Sequence, residues 1–281
     1  MFDNKNKCAI DIKGKKTVCS KPENINMLKN YLHSTGLTCN CLGSLSDDQI
    51  IKILKKKFKL NHEYEIYEKP EIKKALGNIS KTILTDLFVN KGPNNSTDLL
   101  SNFDIDNLCK NWMENSEQFN KKYYHIPFQM IDFAEFKNSL RDLDINNLIK
   151  NKYDCFSCVL NTDKSSGRGK HWFCIYGDLS VENKQGDRCV TIEHFNSSGM
   201  PMRIPVLKWL ERTICDLKLK KIDAKYKYVN RNHQLQYSDT ECGVWSLIYI
   251  LSRLFNKSNN WMIKDNIKDS EITKYRDYIF R

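Results

Sequence analysis

Apolar residues recur at helical spacing through the first third of the chain. The clearest stripe, which follows Ser46, consists of Ile50, Ile51, Ile53, Leu54 and Phe58. Acidic residues precede this stripe and lysines end it, as expected for a helix that complements its own dipole. Similar spacing predicts helices over 22–33 and 80–90. The breaker cluster at 90–95 then interrupts the pattern, so we predict a helical N-terminal arm, residues 1–92, followed by a second domain, residues 93–281.

The second domain begins with helical patterns over 98–115 and from 127 towards 150, and then the pattern changes. Short runs rich in β-branched and aromatic residues, each bounded by Gly, Asp or Ser, predict strands over 156–160, 171–179, 188–195 and 226–230. Helices are predicted over 207–219, over 244–255 and from 269 onwards. The helix over 244–255 is apolar nearly all round, which is typical of a buried central helix. The fold class predicted is therefore α+β, with a mixed central sheet flanked by helices and an N-terminal helical arm.

Composition narrows the class of protein. The chain has 281 residues, of which 40% are hydrophobic and 11% aromatic, enough for a sizeable core. It contains no apolar run long enough to span a membrane and no apolar segment near its start, so we expect an intracellular protein without a membrane span. The net charge of +11 leaves nucleic acid as a conceivable partner. Because the lysines are spread along the chain, and the cluster at 55–57 lies on an amphipathic helix, that partner stays unsupported.

The 11 cysteines are an odd number and follow no secretion signal, which favours reduced thiols over a disulfide framework. Two close pairs, Cys39 with Cys41 and Cys155 with Cys158, raise the question of a metal site. The second pair lies in an apolar run, where cysteine behaves as a small hydrophobic residue. Since no further ligand pair accompanies either one, we predict no metal and no cofactor.

A cysteine nucleophile is indicated at Cys242, which a polar loop delivers to the start of the predicted buried helix. The unpaired N–H groups of a first helical turn and the helix dipole favour a thiolate there. Gln236, six positions earlier, is the candidate donor to an oxyanion, together with the backbone N–H of Cys242. Asp239 is also close in sequence, but an ionised carboxylate only accepts hydrogen bonds.

A base and its orienting residue are needed to complete such a site. His171 stands between a glycine-containing loop and an apolar strand, and is the candidate base, although one such histidine alone fits a structural role equally well. Asn196 ends the next strand and is the candidate orienting residue; an Asn-Ser-Ser-Gly turn would also explain it. Glu193 and Asp178 are weaker rivals. A structural role is predicted for the other histidines: His33, His62, His125, His194 and His233.

The order of these residues resembles that of the adenovirus-type and SUMO-specific cysteine proteases, in which a His-Trp pair, an Asp or Asn after the next strand and a Gln six positions before Cys-Gly recur. The sequence is more similar still to the polyprotein-processing cysteine proteases of African swine fever virus and related large DNA viruses. The segments that carry this resemblance include 158–163, 169–172, 192–199 and 240–243. It extends from about residue 93 to the end of the chain.

The resemblance implies a papain-like core with circularly permuted chain order. It also implies hydrolysis after Gly-Gly in viral structural polyproteins during virion maturation, in the host cytoplasm at the viral factory and in the virion. Trp172 would roof a slot that admits only glycines, although core packing would explain it equally, and Asn161 would bind substrate backbone. Two alternatives stay open: a protease that removes ubiquitin or SUMO from host proteins, and a non-enzymatic module that binds nucleic acid or another partner.

Overall fold

The computed structural model of the chain describes residues 7–9, 17–36, 42–93, 98–180 and 189–281. The chain divides into two compact units, Met1–Gly92 with Asp277–Arg281, and Pro93–Arg276. The last five residues thus group with the first unit, whereas the sequence analysis placed them in the second domain.

The described residues of the first unit form short helices around one apolar core. These are α1 (Pro22–Ser34), α2 (Asp47–Phe58), α3 (Tyr64–Glu68), α4 (Pro70–Leu76) and α5 (Ile79–Leu87). Three of them, α1, α2 and α5, were predicted from the apolar spacing. Ser46 caps α2, since its hydroxyl accepts from the N–H of Gln49. The helices α3 and α4 were not predicted because each is only one or two turns long, too short for a periodic stripe.

A disulfide joins Cys8 and Cys19 in the described part of the first unit. The expectation of reduced thiols throughout is therefore wrong for these two residues. The carboxylate of Glu63 is buried beside them and accepts from the backbone N–H groups of Cys19, at 2.8 Å, and Ser20, at 2.9 Å. These hydrogen bonds compensate the desolvation of the carboxylate.

A five-stranded mixed sheet forms the centre of the second unit. Its strands are β1 (Tyr123–Met130), β2 (Cys155–Asn161), β3 (Trp172–Asp178), β4 (Cys189–Phe195) and β5 (Asp223–Tyr228). They lie side by side in chain order. The inner pairs, β2 with β3 and β3 with β4, are antiparallel, and the outer pairs are parallel.

The strand β1 corrects the prediction of a helical stretch from 127. Pro127 lies where the pairing of β1 with β2 shifts register, between Ile126 and Gln129. Proline lacks an N–H, and within sheets it occurs at edges and irregularities of this kind. The helix expected towards Lys150 is present only at the end of the stretch, at Ile145–Lys150.

The remaining helices are α6 (Asn102–Glu114), α7 (Ile145–Lys150), α8 (Ile204–Leu219), α9 (Cys242–Leu254), α10 (Trp261–Lys264) and α11 (Asp269–Ile279). Of these, α6 packs against β1, α8 against β5 and α9 against β3. Side chains alternate along β3, so that Phe173 joins the core that contains α8, whereas Cys174 reaches α9, with Sγ 3.6 Å from the Ser246 carbonyl. The helix α9 is buried along almost its whole length. This arrangement confirms the predicted α+β class and the buried central helix.

The cysteines of β2 behave as small buried hydrophobic residues. Burial raises the pKa of Cys155 to about 11 and raises that of Cys158 as well, so both thiols are neutral. Across the described ranges no group of three or more His, Cys, Asp or Glu side chains could hold a metal ion. Cys39 and Cys41 lie outside those ranges. None of the helices in the described part of the chain has the length and apolarity needed to cross a membrane.

His194 makes the folded protein sensitive to acid. Its ring is buried between the rings of Phe173 and Tyr228, and burial lowers its pKa to about 3. An unfolded histidine has a pKa of 6.5, so below that pH the unfolded chain binds a proton that the folded chain rejects. The contribution of His194 to the free energy of unfolding should therefore fall by about 1.4 kcal/mol per pH unit between 6.5 and 3.

Urea titrations at pH 7 and pH 5 test this expectation. Between pH 7 and pH 5, the free energy of unfolding of the His194→Phe variant should fall by about 2 kcal/mol less than that of the wild type. The carboxylates contribute equally to both proteins, so the difference reports on His194. Equal losses in the two proteins would show that His194 does not set the acid sensitivity.

Candidate active site

Cys242 is the first residue of α9, and its side chain is only 3% exposed. The backbone N–H groups of Trp172, Gly243 and Cys242 itself lie near its sulfur and lower the pKa of the thiol. Burial acts in the opposite direction and is stronger, so the pKa of Cys242 is raised overall. The thiolate expected from the helix position alone is therefore not the favoured state of the free protein.

The imidazole of His171 is held by Asn196. His171 Nε2 lies 2.7 Å from Asn196 Oδ1, and the same oxygen accepts from the backbone N–H and the hydroxyl of Ser198. Because three donors converge on one atom, that atom is the carbonyl oxygen of the amide. His171 therefore carries its proton on Nε2, which leaves Nδ1 as the basic nitrogen.

Burial lowers the pKa of His171; the hydrogen bond to Asn196 raises it, and Arg203 lowers it. A raised thiol pKa beside a lowered imidazole pKa favours the neutral pair over the ion pair. Since Trp172 directly follows His171 and lines the same cavity as Cys242, the base and the thiol belong to one site.

Gln236 is buried in the loop that precedes α9, and both ends of its amide are held. Oε1 accepts from the hydroxyl of Ser197 at 2.7 Å, and Nε2 donates to the carbonyl of Ser238 at 2.6 Å. A carbonyl only accepts, so the orientation of the amide is fixed. One N–H of Nε2 remains for another acceptor. Asp239 is exposed.

A groove of about 570 Å³ leads to Cys242. It is lined by Leu99, Leu100, Ser101, Asn102, Phe128, Met130, Asn161, Ser165, Gly167, Arg168, Gly169, Lys170, Trp172 and Cys242. Trp172 Nε1 donates to the carbonyl of Leu100 at 3.2 Å, and Phe128 packs edge-on against the same indole. A Cβ on Gly243 would lie 3.1 Å from the Leu100 side chain. Little space thus remains beside the nucleophile.

Asn161 ends β2 at the wall of this groove and organises the loop before His171. Its Oδ1 accepts from the N–H groups of Asp163, at 3.0 Å, and Lys170, at 2.9 Å. The carboxylate of Asp163 lies where a Cβ on Gly167 would be, 2.3 Å away. A side chain at position 167 would displace this carboxylate, which accepts from the Gly169 N–H and pairs with Lys170, so the loop is more tightly held than its glycines alone suggest.

The two rival orienting residues lie in a different set of contacts. Glu193 binds Arg253 and the hydroxyl of Tyr249, each at 2.8 Å, and Asp178 binds Arg253 at 3.2 Å. Among the six candidates, the structure joins His171 and Asn196 by a hydrogen bond. Cys242, Trp172 and Asn161 line one groove, and Gln236 lies in the loop before α9.

Sequence reasoning did not identify several residues that support the site. Asp269 accepts from Trp245 Nε1 at 2.8 Å and from the N–H groups of Tyr237 and Ser238, and so fixes the loop that carries Gln236. Glu241, next to the nucleophile, pairs with Arg276 at 3.2 Å. These partners are more than 20 residues apart in the chain, and no local pattern marks them.

Comparison with known proteins gives consistent relatives. The chain is 34% identical over 263 residues to a SUMO-1 cysteine protease of African swine fever virus (isolate Pig/Kenya/KEN-50/1950), covering 86% of this chain and 91% of the relative. The corresponding cysteine protease of strain Badajoz 1971 Vero-adapted is equally similar. A crystal structure of the African swine fever virus protease matches all of this chain and 97% of that one, with a TM-score of 0.78 and 28% identity. No family model matches the sequence.

Proposed function

We infer the reaction from one premise: the chain belongs to the family of the African swine fever virus SUMO-1 cysteine proteases. It is a viral cysteine protease, and the resemblance found in its sequence is confirmed. We propose that it hydrolyses peptide bonds after Gly-Gly in viral structural polyproteins. The observation that carries the proposal is that Cys242, at the start of α9, lines one groove with Trp172, and that the preceding residue, His171, is held by Asn196 at 2.7 Å.

The first step is attack by sulfur on the carbonyl carbon of the second glycine. Because the neutral pair is favoured, His171 Nδ1 takes the thiol proton as the carbon–sulfur bond forms. The resulting imidazolium donates from Nε2 to Asn196 Oδ1, which already lies at 2.7 Å, so no reorganisation is required. Asn196 thus holds the tautomer before the step and stabilises the charge after it.

The carbonyl oxygen becomes an oxyanion, which requires donors that are already in place. The free N–H of Gln236 and the N–H of Cys242 are the donors that we assign. The tetrahedral intermediate then collapses, the carbon–nitrogen bond breaks, and the proton on His171 passes to the leaving amine. Water then attacks the thioester carbon while His171 takes one of its protons. The carbon–sulfur bond breaks, the glycyl acid is released, and His171 returns the proton to the sulfur.

The preference for glycine is supported by the bridge between Trp172 and Leu100. A side chain on either residue before the cleaved bond would have to fit between the indole and the segment at Leu100. Glycine avoids this conflict since it has no Cβ. The amide nitrogen of Asn161, whose oxygen holds the loop, would serve as a donor to substrate backbone.

Fluorogenic peptides ending in Gly-Gly before the cleaved bond, compared with Ala-Gly and Gly-Ala versions, test the specificity. We expect the Gly-Gly peptide to be cleaved and each alanine to lower kcat/KM by about 10- to 100-fold, since overpacking a rigid site costs about 1–3 kcal/mol. Equal cleavage of all three would refute the narrow slot. Incubation with precursor polyproteins, with the cut sites mapped by mass spectrometry, identifies the natural substrate.

A second substrate class comes from the relatives, some of which are described as SUMO-1 cysteine proteases. Ubiquitin and SUMO also end in Gly-Gly, so the same slot would accept their tails. A ubiquitin-like probe with a reactive C-terminus, compared with a peptide probe of the same tail, separates the two. If the ubiquitin-like probe labels Cys242 much faster than the peptide probe, deconjugation is favoured over polyprotein cleavage.

A further inference from the structure

The loop after β4, residues 196–199, holds Gln236 as well as carrying Asn196. The hydroxyl of Ser197, whose side chain is almost fully buried, donates to Gln236 Oε1 at 2.7 Å. The backbone carbonyl of Ser197 accepts from the N–H groups of Leu235, at 2.8 Å, and Gln236, at 3.0 Å. Ser197 therefore fixes both the main chain and the side chain of Gln236.

Asn230, which follows β5, holds the main chain of Asn196. Its Oδ1 accepts from the Asn196 N–H at 3.2 Å, and its Nδ2 donates to the Asn196 carbonyl at 2.5 Å and to the His233 carbonyl at 3.1 Å. Asn230 is 1% exposed. One side chain thus bonds both main-chain groups of Asn196. The carbonyl also accepts from the Gly199 N–H at 2.8 Å, whereas the N–H would lose its partner in a buried position without Asn230.

The backbones of the two segments approach closely. Gly199 has a φ of +67°, and a Cβ there would lie 2.7 Å from the carbonyl carbon of His233 and 2.8 Å from the nitrogen of Gln234. The segments around Asn196 and Gln236 therefore form one rigid block, in which a shift of one segment displaces the other.

We propose that Asn230 and Ser197 are positioning residues of the hydrolysis: Asn230 holds Asn196, and through it His171, while Ser197 holds Gln236. Neither needs to touch the substrate. The proposal rests on the proposed function, because it assigns the orienting role to Asn196 and the oxyanion to Gln236. Small errors in the position of such groups are costly to catalysis.

The role of Asn230 can be measured without a substrate, by the rate at which iodoacetamide alkylates Cys242 at pH 7. Because the thiolate forms with the help of His171, Asn230→Ala should slow alkylation about tenfold, as expected for loss of a hydrogen bond to a charged group. Asn196→Ala should slow it equally, and the double variant no more than either. The control is Asn24→Ala, which removes a buried asparagine in the first turn of α1 whose side chain accepts from the N–H of Lys21.

The role of Ser197 is measured by steady-state cleavage of the Gly-Gly peptide. Ser197→Ala should lower kcat about tenfold with little change in KM, less than the 10²–10³-fold that loss of an oxyanion donor costs. Ser197→Ala should leave the alkylation rate of Cys242 unchanged. In a protein that already carries Gln236→Ala, it should not lower kcat further. Ser252→Ala removes another buried hydroxyl, bonded to the Tyr249 carbonyl, and should keep kcat unchanged.

Independent effects would overturn the proposal: slower alkylation in the Asn196→Ala/Asn230→Ala double variant than in either single one, or a further loss of kcat when Ser197→Ala is added to Gln236→Ala. If Asn230→Ala does not fold by circular dichroism, Asn230→Asp, which keeps the acceptor but cannot donate, replaces it with the same expected result. A wild type that alkylates but cleaves no Gly-Gly peptide would refute the substrate assignment alone. The alkylation result would still decide the role of Asn230.

Discussion

Cys242→Ala should abolish peptide cleavage and lower kcat by about 10⁶-fold, the loss seen when the nucleophile of a protease is removed. The reason is local: Cys242 is the cysteine that lines the groove, in the described part of the chain, next to Trp172 and the base that precedes it. Cys242→Ser should be similarly inactive, because a hydroxyl with its much higher pKa gives up its proton far less readily to His171. Discontinuous cleavage assays over hours give the sensitivity required.

The matched control is Cys174→Ala. Cys174, on β3, is also buried and packs against α9, with Sγ 3.6 Å from the Ser246 carbonyl. Ser246 lies one helical turn after Cys242, so Cys174 contacts α9 away from the nucleophile. Both alanine variants lose one sulfur from the core, so their Tm values should fall by similar amounts. Activity should be lost in Cys242→Ala alone. Turnover retained by Cys242→Ala would assign the reaction to another residue.

Glu193→Ala should destabilise the fold by about 3–5 kcal/mol without impairing the chemistry, because removal of one partner leaves a buried charge unpaired. Glu193 is nearly inaccessible and accepts from Arg253 at 2.8 Å, from Tyr249 at 2.8 Å and from Asn259 at 2.9 Å. Asp178, at 3.2 Å from Arg253, compensates only part of the charge. Denaturant titration at pH 7 measures the loss.

Activity separates this structural role from a catalytic one. Well below the Tm of the variant, kcat/KM of Glu193→Ala should match that of the wild type. Glu193→Gln keeps acceptor capacity and should cost less, and the exposed Glu211→Ala should change stability by less than about 0.5 kcal/mol. A stable Glu193→Ala with strongly reduced kcat would instead restore Glu193 as the partner of the base.

The fold was predictable where the sequence pattern is local. The stripe behind Ser46 and the apolar run after Gly243 correspond to α2 and α9, and the β-branched runs correspond to β2, β3 and β4. The strand β1 was missed because Pro127 argues against a ladder, and only pairing with β2 places it in the sheet. The Cys8–Cys19 disulfide was missed since an odd number of cysteines does not reveal which of them are neighbours in space.

The candidate site was predictable to the same extent. His171, Asn196 and Cys242 stand at element ends with recognisable neighbours, so their proximity follows from the fold. Leu100 and Asn230 carry no such mark, because their importance depends on contacts across the fold: Leu100 with Trp172, and Asn230 with the backbone of Asn196. The raised pKa of Cys242 was also missed, since burial depends on tertiary packing.

The chain order of the sheet has a consequence for synthesis on the ribosome. The strands lie side by side in the order in which they are made, so each can pair with its predecessor as it emerges. The nucleophile, however, arrives only with α9, after all five strands. At about 5–20 residues per second, several seconds separate His171 from Cys242. During that interval the nascent chain holds the base but not the nucleophile, so it cannot hydrolyse peptide bonds before residue 242 has been made.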